Sequence, residues 1–277
     1  MKKGQMVSPY LKNKGSAVRF CLWPLMNYVL KAYKYIKWKF GIDNLIQKLT
    51  KNYWNQGKNY EWLSEYIFNE RLDTSAIVEI GSRDALDSIS LLKKYNFKQA
   101  FVFEPSNPGI LMCLQNIKNS KFSERINFYP FAIGNSLELK TFYENTEKID
   151  VPNIGASSFY SQNLNEYKTY KVPVVKLSDV LSEVNLHFYL AMIDVEGYEL
   201  EVISNEKELF SRFKYICLEV THSNIHYQNN HNLIKVNNTL KDYGFNLVAS
   251  KYNPDETIEN LLDSNISQSD LLYKRVS

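Results

Sequence analysis

The chain of 277 residues is 44% hydrophobic and 23% charged, values that allow a substantial core and exclude a low-complexity or disordered chain. Its three cysteines, Cys21, Cys113 and Cys217, form no CxxC unit, so neither a disulfide framework nor a zinc knot is expected, and a reducing, cytoplasmic compartment fits best. The net charge of +3 hides a split: residues 1–60 carry 12 Lys or Arg against one acid, Asp43, while the rest carries 21 against 29, a head at +11 on a body at −8.

A basic head on an acidic body calls for an electrostatic partner. No uncharged apolar run reaches about 18 residues, so no membrane-spanning helix is expected. The apolar stretch 21–30 is short, is interrupted by Pro24 and Asn27, and has no small-residue cleavage site after it, so no secretory signal is expected either. Residues 1–15 are polar. Residues 18–40 (VRFCLWPLMNYVLKAYKYIKWKF) interleave aromatic rings with Lys31, Lys34, Lys37 and Lys39. Such a segment suits a peripheral contact with an anionic membrane, on the inner face, with rings at headgroup level and lysines near lipid charge. It equally suits a helix packed on the main domain or in an oligomer contact.

From residue 60 the chain alternates. A helix at 60–69 leads into a strand at 76–80, followed by a helix at 87–95, a strand at 100–104 and a helix at 108–117. Extended segments follow at 126–131, 140–143 and 170–177, then a strand at 190–194 and a helix from about 198. A strand at 215–220, a helix at 233–242 stopped by Gly244, a strand at 245–249 and an extended piece at 271–276 complete the chain. Strands alternating with helices imply a mostly parallel, doubly wound α/β sheet. The expected organisation is an extension over 1–59 and one domain over 60–277.

Residues 190–200 (LAMIDVEGYEL) are the most informative: an apolar run breaks into Asp194, Glu196 and Glu199 around Gly197. This is the pattern of a buried parallel strand whose carboxyl end opens on a site, where ligands of open α/β sheets bind. The pattern recurs as Val78-Glu79-Ile80-Gly81 and as Phe103-Glu104-Pro105. Gly81 permits a sharp turn and close backbone approach, but the turn carries no GxGxxG and no Walker lysine, and Asp84 and Asp87 would repel phosphate. A smaller, phosphate-free ligand fits better. Glu104, about twenty residues on, can accept hydrogen bonds from a ribose diol. The PSNP stretch at 105–108 stiffens the next loop, with Pro105 against the ligand and Asn107 as a polar contact.

Taken together, VEIGSRD, FEPSNP, FAIGNS (131–136), GASSF (155–159), VPVVKLSDVL (172–181) and IDVEGYELEVI (193–203) resemble the FkbM-type S-adenosylmethionine-dependent methyltransferases over roughly residues 60–250. The chain departs from that pattern at Arg83 and Ala85, where the family more often has glycine. The resemblance implies a Rossmann-like class I methyltransferase fold with S-adenosyl-L-methionine as cofactor. It places Gly81, Ser82 and Asp84 around the methionine portion, Glu104 on the ribose, and Asn107 with Ala132 at the adenine, with Glu79, Pro105 and Asp194 as further cofactor-binding residues. Asp194 and Glu196 face the methyl and acceptor side, and Ser157 and Ser158 close over the pocket.

An alcohol acceptor gains from a general base: Asp194 first, Glu196 second and His222 as a further candidate. His222, His226 and His231 lie on an Asn-rich stretch, and no metal site is expected. The expected activity is O-methylation of a sugar hydroxyl in a surface polysaccharide, glycolipid or sugar nucleotide. The alternatives are O-methylation of a small secondary metabolite, or a non-catalytic cofactor-binding module at a membrane surface. With no RNA-recognition or helix-turn-helix signature, nucleic acid is not an expected partner.

Overall fold

The computed structural model describes residues 59–66, 72–145, 156–161, 167–221, 233–251, 253, 255–263 and 268–276. In chain order these form β1 (Ser75–Ile80), α1 (Leu86–Lys94), β2 (Gln99–Phe103), α2 (Asn107–Asn119), β3 (Ile126–Tyr129), β4 (Ala132–Ile133) and β5 (Glu138–Asn145). They continue as β6 (Tyr167–Val175), α3 (Leu177–Leu181), β7 (His187–Ile193), α4 (Glu199–Ile203), α5 (Lys207–Phe210), β8 (Phe213–Thr221), α6 (Leu233–Asp242), β9 (Phe245–Ser250), α7 (Ile258–Asp263) and β10 (Gln268–Arg275).

β1 is buried from Ala76 to Ile80 on both faces, as a central strand covered by helices on each side must be. It pairs in parallel with β2 on one side and β7 on the other. The main sheet has seven strands in the order β3-β2-β1-β7-β8-β10-β9. β3, β2, β1, β7 and β8 run parallel, and β10 inserts antiparallel between β8 and β9. This is the Rossmann-like, mostly parallel architecture that the alternating pattern implies. One face buries Ile77, Val102, Leu190, Met192 and Cys217 against Leu91 and Leu92 of α1 and Cys113 and Ile117 of α2 in a single cluster.

Local chemistry sets the boundaries nearest the site. α2 begins where Ser106 Oγ accepts the Gly109 N–H at 3.1 Å, with Pro108 in the first turn, a side-chain cap plus a residue that needs no N–H partner there. α6 stops at Gly244, whose φ of 86° is easy only for glycine.

Two expectations change, at 126–131 and 60–69. The segment 126–131 is not one strand: β3 ends at Tyr129 and β4 joins another sheet, because Pro130 has no N–H to carry the ladder onward. The extended segment at 170–177 is β6, the middle of a separate three-stranded sheet ordered β4-β6-β5. The helix at 60–69 is a short 3-10 turn, Glu61–Glu65, as far as the described residues go. Asn59, assigned by sequence to the extension, donates its backbone N–H and Nδ2 to Asp87 at 3.2 and 3.1 Å. Residues 1–58 of the basic head, including 18–40, lie outside the described residues.

Candidate active site

The sheet grows from β1 through β2 to β3 on one side and resumes at β7 and β8 on the other, which makes the β1–β7 boundary the topological switch point. Gly81 follows β1 there with φ 82°, and a Cβ on it would stand 1.8 Å from the Asp194 carbonyl oxygen. Glycine is therefore required by space as well as by φ. Gly81 and Ser82 both donate their N–H to the Phe103 carbonyl, at 3.0 and 3.1 Å, and Asp194 N–H donates to Ile80 at 3.0 Å. The strand ends are thus tied around a crevice, and a cavity of about 270 Å³ opens in it.

Of the residues singled out by sequence, Glu79, Gly81, Ser82, Glu104 and Pro105 line this cavity, as do Ala132, Ser157, Asp194 and Glu196. Asp84, Asn107 and Ser158 do not. Asp84 turns inward and accepts the Leu86 N–H at 3.0 Å, tying down the start of α1. Asn107 is exposed, and its backbone N–H donates to the Tyr170 hydroxyl at 3.0 Å. Ser158 is buried beneath the rim, where its Oγ donates to the Glu196 carbonyl at 2.6 Å. His222, with His226 and His231, lies outside the described residues.

The two carboxylates nearest β1 and β2 differ in what they leave free. Glu79 Oε1 accepts from Ser82 Oγ at 2.7 Å, and Oε2 accepts from the Ser88 N–H at 3.0 Å and from Ser88 Oγ. Burial first, then neighbouring Asp87, push its pKa to about 8. Glu79 therefore braces the β1–α1 turn. Glu104 accepts the Ser106 N–H and Oγ at 2.7 and 2.5 Å on one oxygen and the Arg83 N–H at 2.8 Å on the other. Three of about four carboxylate acceptor positions are used, which leaves room for one ribose hydroxyl. Burial raises its pKa while these bonds oppose the rise.

Across the crevice, Asp194, Glu196 and Glu219 bring one carboxylate oxygen each to within 4.8 Å of one another, the grouping among the described residues whose donors could converge on a cation. Asp194 Oδ1 is buried without a hydrogen-bond partner. Burial, then the charges of Glu219 and Glu196, raise the Asp194 pKa well above the usual carboxylate range. Glu196 and Gly197 both adopt positive φ, 54° and 94°, and this tight loop is held by Glu199, whose Oε1 accepts the Gly197 N–H at 3.0 Å. Burial raises Glu199 to about 8. Phe131, Phe142, Phe159 and Tyr198 complete an aromatic wall, with Phe159 and Tyr198 centroids 4.6 Å apart.

Sequence reading did not assign Tyr60, Glu219, Lys251, Gln268 and Asp270, all of which line the cavity. Glu219 carries the same signal as the others, an apolar strand ending in an acid. Lys251, Gln268 and Asp270 arrive only because β10 folds back beside β8, and no local pattern announces that.

The sequence matches the methyltransferase FkbM domain model over residues 79–247. No curated protein matches it. Among solved structures, methyltransferase FkbM from Methylobacillus flagellatus is 15% identical at a TM-score of 0.45, covering 73% of this chain, which spans only 44% of that longer one. Precorrin-6y C5,15-methyltransferase from Geobacter metallireducens is 13% identical, with 82% and 92% of the two chains covered and a TM-score of 0.44. TrmK from M. capricolum, in complex with S-adenosyl-homocysteine, is 9% identical, with 78% and 66% covered and a TM-score of 0.43. The family model covers more than half of the sequence and includes both the Glu79 turn and the Asp194 loop. The chain belongs to the FkbM family of S-adenosylmethionine-dependent methyltransferases.

Proposed function

We propose that this chain methylates a hydroxyl of a sugar, in a surface polysaccharide, a glycolipid or a sugar nucleotide. The observation that carries the reading is the make-up of the cavity, in which an aromatic wall of Phe142, Phe159 and Tyr198 shares one space with Asp194 and Glu196. Aromatic rings take the apolar C–H face of a sugar, and carboxylates accept its hydroxyl protons.

The residues present fit the cofactor. Glu104 has an acceptor position left for a ribose hydroxyl, Gly81 lets the Asp194 loop close against the β1 turn beside the cavity, and the Asp194 oxygen without a partner favours a cation. When bound, S-adenosylmethionine supplies a methyl group already activated by its sulfonium. The chain's own part is alignment and proton removal. Asp194, with its raised proton affinity, is the base that takes the acceptor's hydroxyl proton, and Glu196 and Glu219 sustain that affinity. Beside a bound cation Asp194 releases its resting proton more readily, so transfer should quicken as pH rises through the titration of this carboxyl.

Labelled S-adenosylmethionine incubated with cell-envelope glycan fractions tests the reading. Label should enter glycan, and Asp194→Asn should slow transfer by about 10²–10⁴-fold while S-adenosylhomocysteine still binds. Label confined to small secondary metabolites would overturn the sugar assignment. The aromatic, lysine-rich segment 18–40 supports placing the enzyme on an anionic membrane face where such acceptors are assembled.

A further inference from the structure

The cavity extends well past the residues assigned to the cofactor. Glu104 follows β2, whereas Glu219, Gln268 and Asp270 sit on β8 and β10. β8 lies three strand spacings from β2, roughly 14 Å at the usual separation, so these residues face a different part of the ligand from the nucleoside. Glu219 and Asp270 are directly opposed in the antiparallel pair, a placement that costs stability unless something offsets it. Lys251 Nζ meets Asp270 Oδ2 at 2.7 Å, and Gln268 Nε2 donates to Glu219 Oε1 at 2.8 Å.

Tyr60 supplies a second, independent observation. It is 8% exposed and lines the same cavity as Asp194, whose Oδ1 is buried without a hydrogen-bond partner. A phenol lining a cavity can donate its hydroxyl proton to a ligand, and the unpartnered carboxylate oxygen can accept one. Burial and the charges of Asp194 and Asp270 keep it a neutral donor.

We propose that Tyr60, Glu219, Lys251, Gln268 and Asp270 form the acceptor subsite, and that it takes a neutral polyol and rejects anionic sugars. Tyr60, Lys251 and Gln268 donate, the carboxylates accept, and a hydroxyl is the group that can answer both. The same wall carries Glu196, Glu219 and Asp270 beside Asp194, with Lys251 paired to Asp270 and Arg83 placed at the β1 turn. A carboxylate or phosphate entering there meets like charge at close range.

The inference rests on the methyl-transfer reading and goes further by assigning the acceptor's seat and charge. Its test is direct binding. The full-length protein saturated with S-adenosylhomocysteine is titrated with methyl glycosides of glucose, galactose, mannose and rhamnose, and with those of glucuronic and galacturonic acid, by saturation-transfer NMR. At least one neutral glycoside should bind, with the uronic acids at least about 100-fold weaker. Tyr60→Phe and Gln268→Leu should each weaken the neutral glycoside, and Glu219→Gln should narrow the neutral-to-anionic ratio, with S-adenosylhomocysteine affinity unchanged by calorimetry. Uronic acids binding as well as neutral glycosides, or no glycoside binding to the loaded protein, overturns the subsite. Failure of the wild type to bind S-adenosylhomocysteine overturns the methyl-transfer reading itself.

Discussion

Arg83 and Ala85 hold φ of 59° and 62°, the left-handed region that costs a side-chain-bearing residue about 1–2 kcal/mol. Both are side-chain-bearing residues in a conformation that glycine adopts more easily. Gly81 has no such latitude. Gly81→Ala would set a Cβ against the Asp194 carbonyl, and overpacking added to left-handed strain should cost about 3 kcal/mol or more. Chemical denaturation should show that loss, and calorimetry should show S-adenosylhomocysteine binding abolished. Glu79 and Glu199 titrate near 8 in the fold against an ordinary 4.5. The folded state therefore holds protons that the unfolded chain has released. This contribution to stability is complete below about pH 4.5 and is lost as pH rises through 8. Denaturation midpoints should fall between pH 5 and 9, and Glu79→Gln should flatten that fall; an unchanged slope would show that Glu79 is ionised in the fold.

The three-stranded sheet β4-β6-β5 is the element that joins the two ends of the site. On β6, the Tyr170 hydroxyl accepts the Asn107 N–H at 3.0 Å and donates to Glu144 at 2.5 Å, linking the sheet to the loop that carries Glu104. Ser158, bridged to Tyr143 on β5, bonds the Glu196 carbonyl. One small sheet thus holds both the nucleoside loop and the Asp194 loop. Tyr170→Phe leaves the Asn107 N–H and the buried Glu144 carboxylate without this partner, an expected penalty of about 1–2 kcal/mol. S-adenosylhomocysteine affinity should fall about tenfold by calorimetry, alongside a melting-temperature drop of a few degrees. Loss of melting temperature at unchanged affinity would show that the Tyr170 link serves the fold alone. Sequence reading found β5 and β6 as extended segments and assigned them to no sheet. Periodicity shows which way side chains alternate, and it does not show which strand lies alongside.

At the scale of the molecule, charge is divided unevenly along the chain. Residues 1–60 carry +11 and the remainder −8, yet Asn59 and Tyr60 line the cavity. A protein truncated just before Asn59 should keep S-adenosylhomocysteine binding and lose affinity for anionic vesicles. Each lysine near such a surface contributes about 1 kcal/mol, and 1 M salt, with a Debye length of about 3 Å, should remove most of the full-length protein's attachment. Attachment that resists salt and truncation alike would assign the contact to another surface. By itself the sequence determined the elements of the sheet, the turn at Gly81 and the strand-end acids Glu79, Glu104 and Asp194. These depend on local alternation, on φ and on where apolar runs stop, all of which are written in neighbouring residues. The tertiary structure alone decided that Asp84 turns inward and that Lys251, Gln268 and Asp270 line the cavity beside Glu219. Those residues are far apart in the chain and meet only because β10 returns between β8 and β9, an arrangement set by the packing of the whole core.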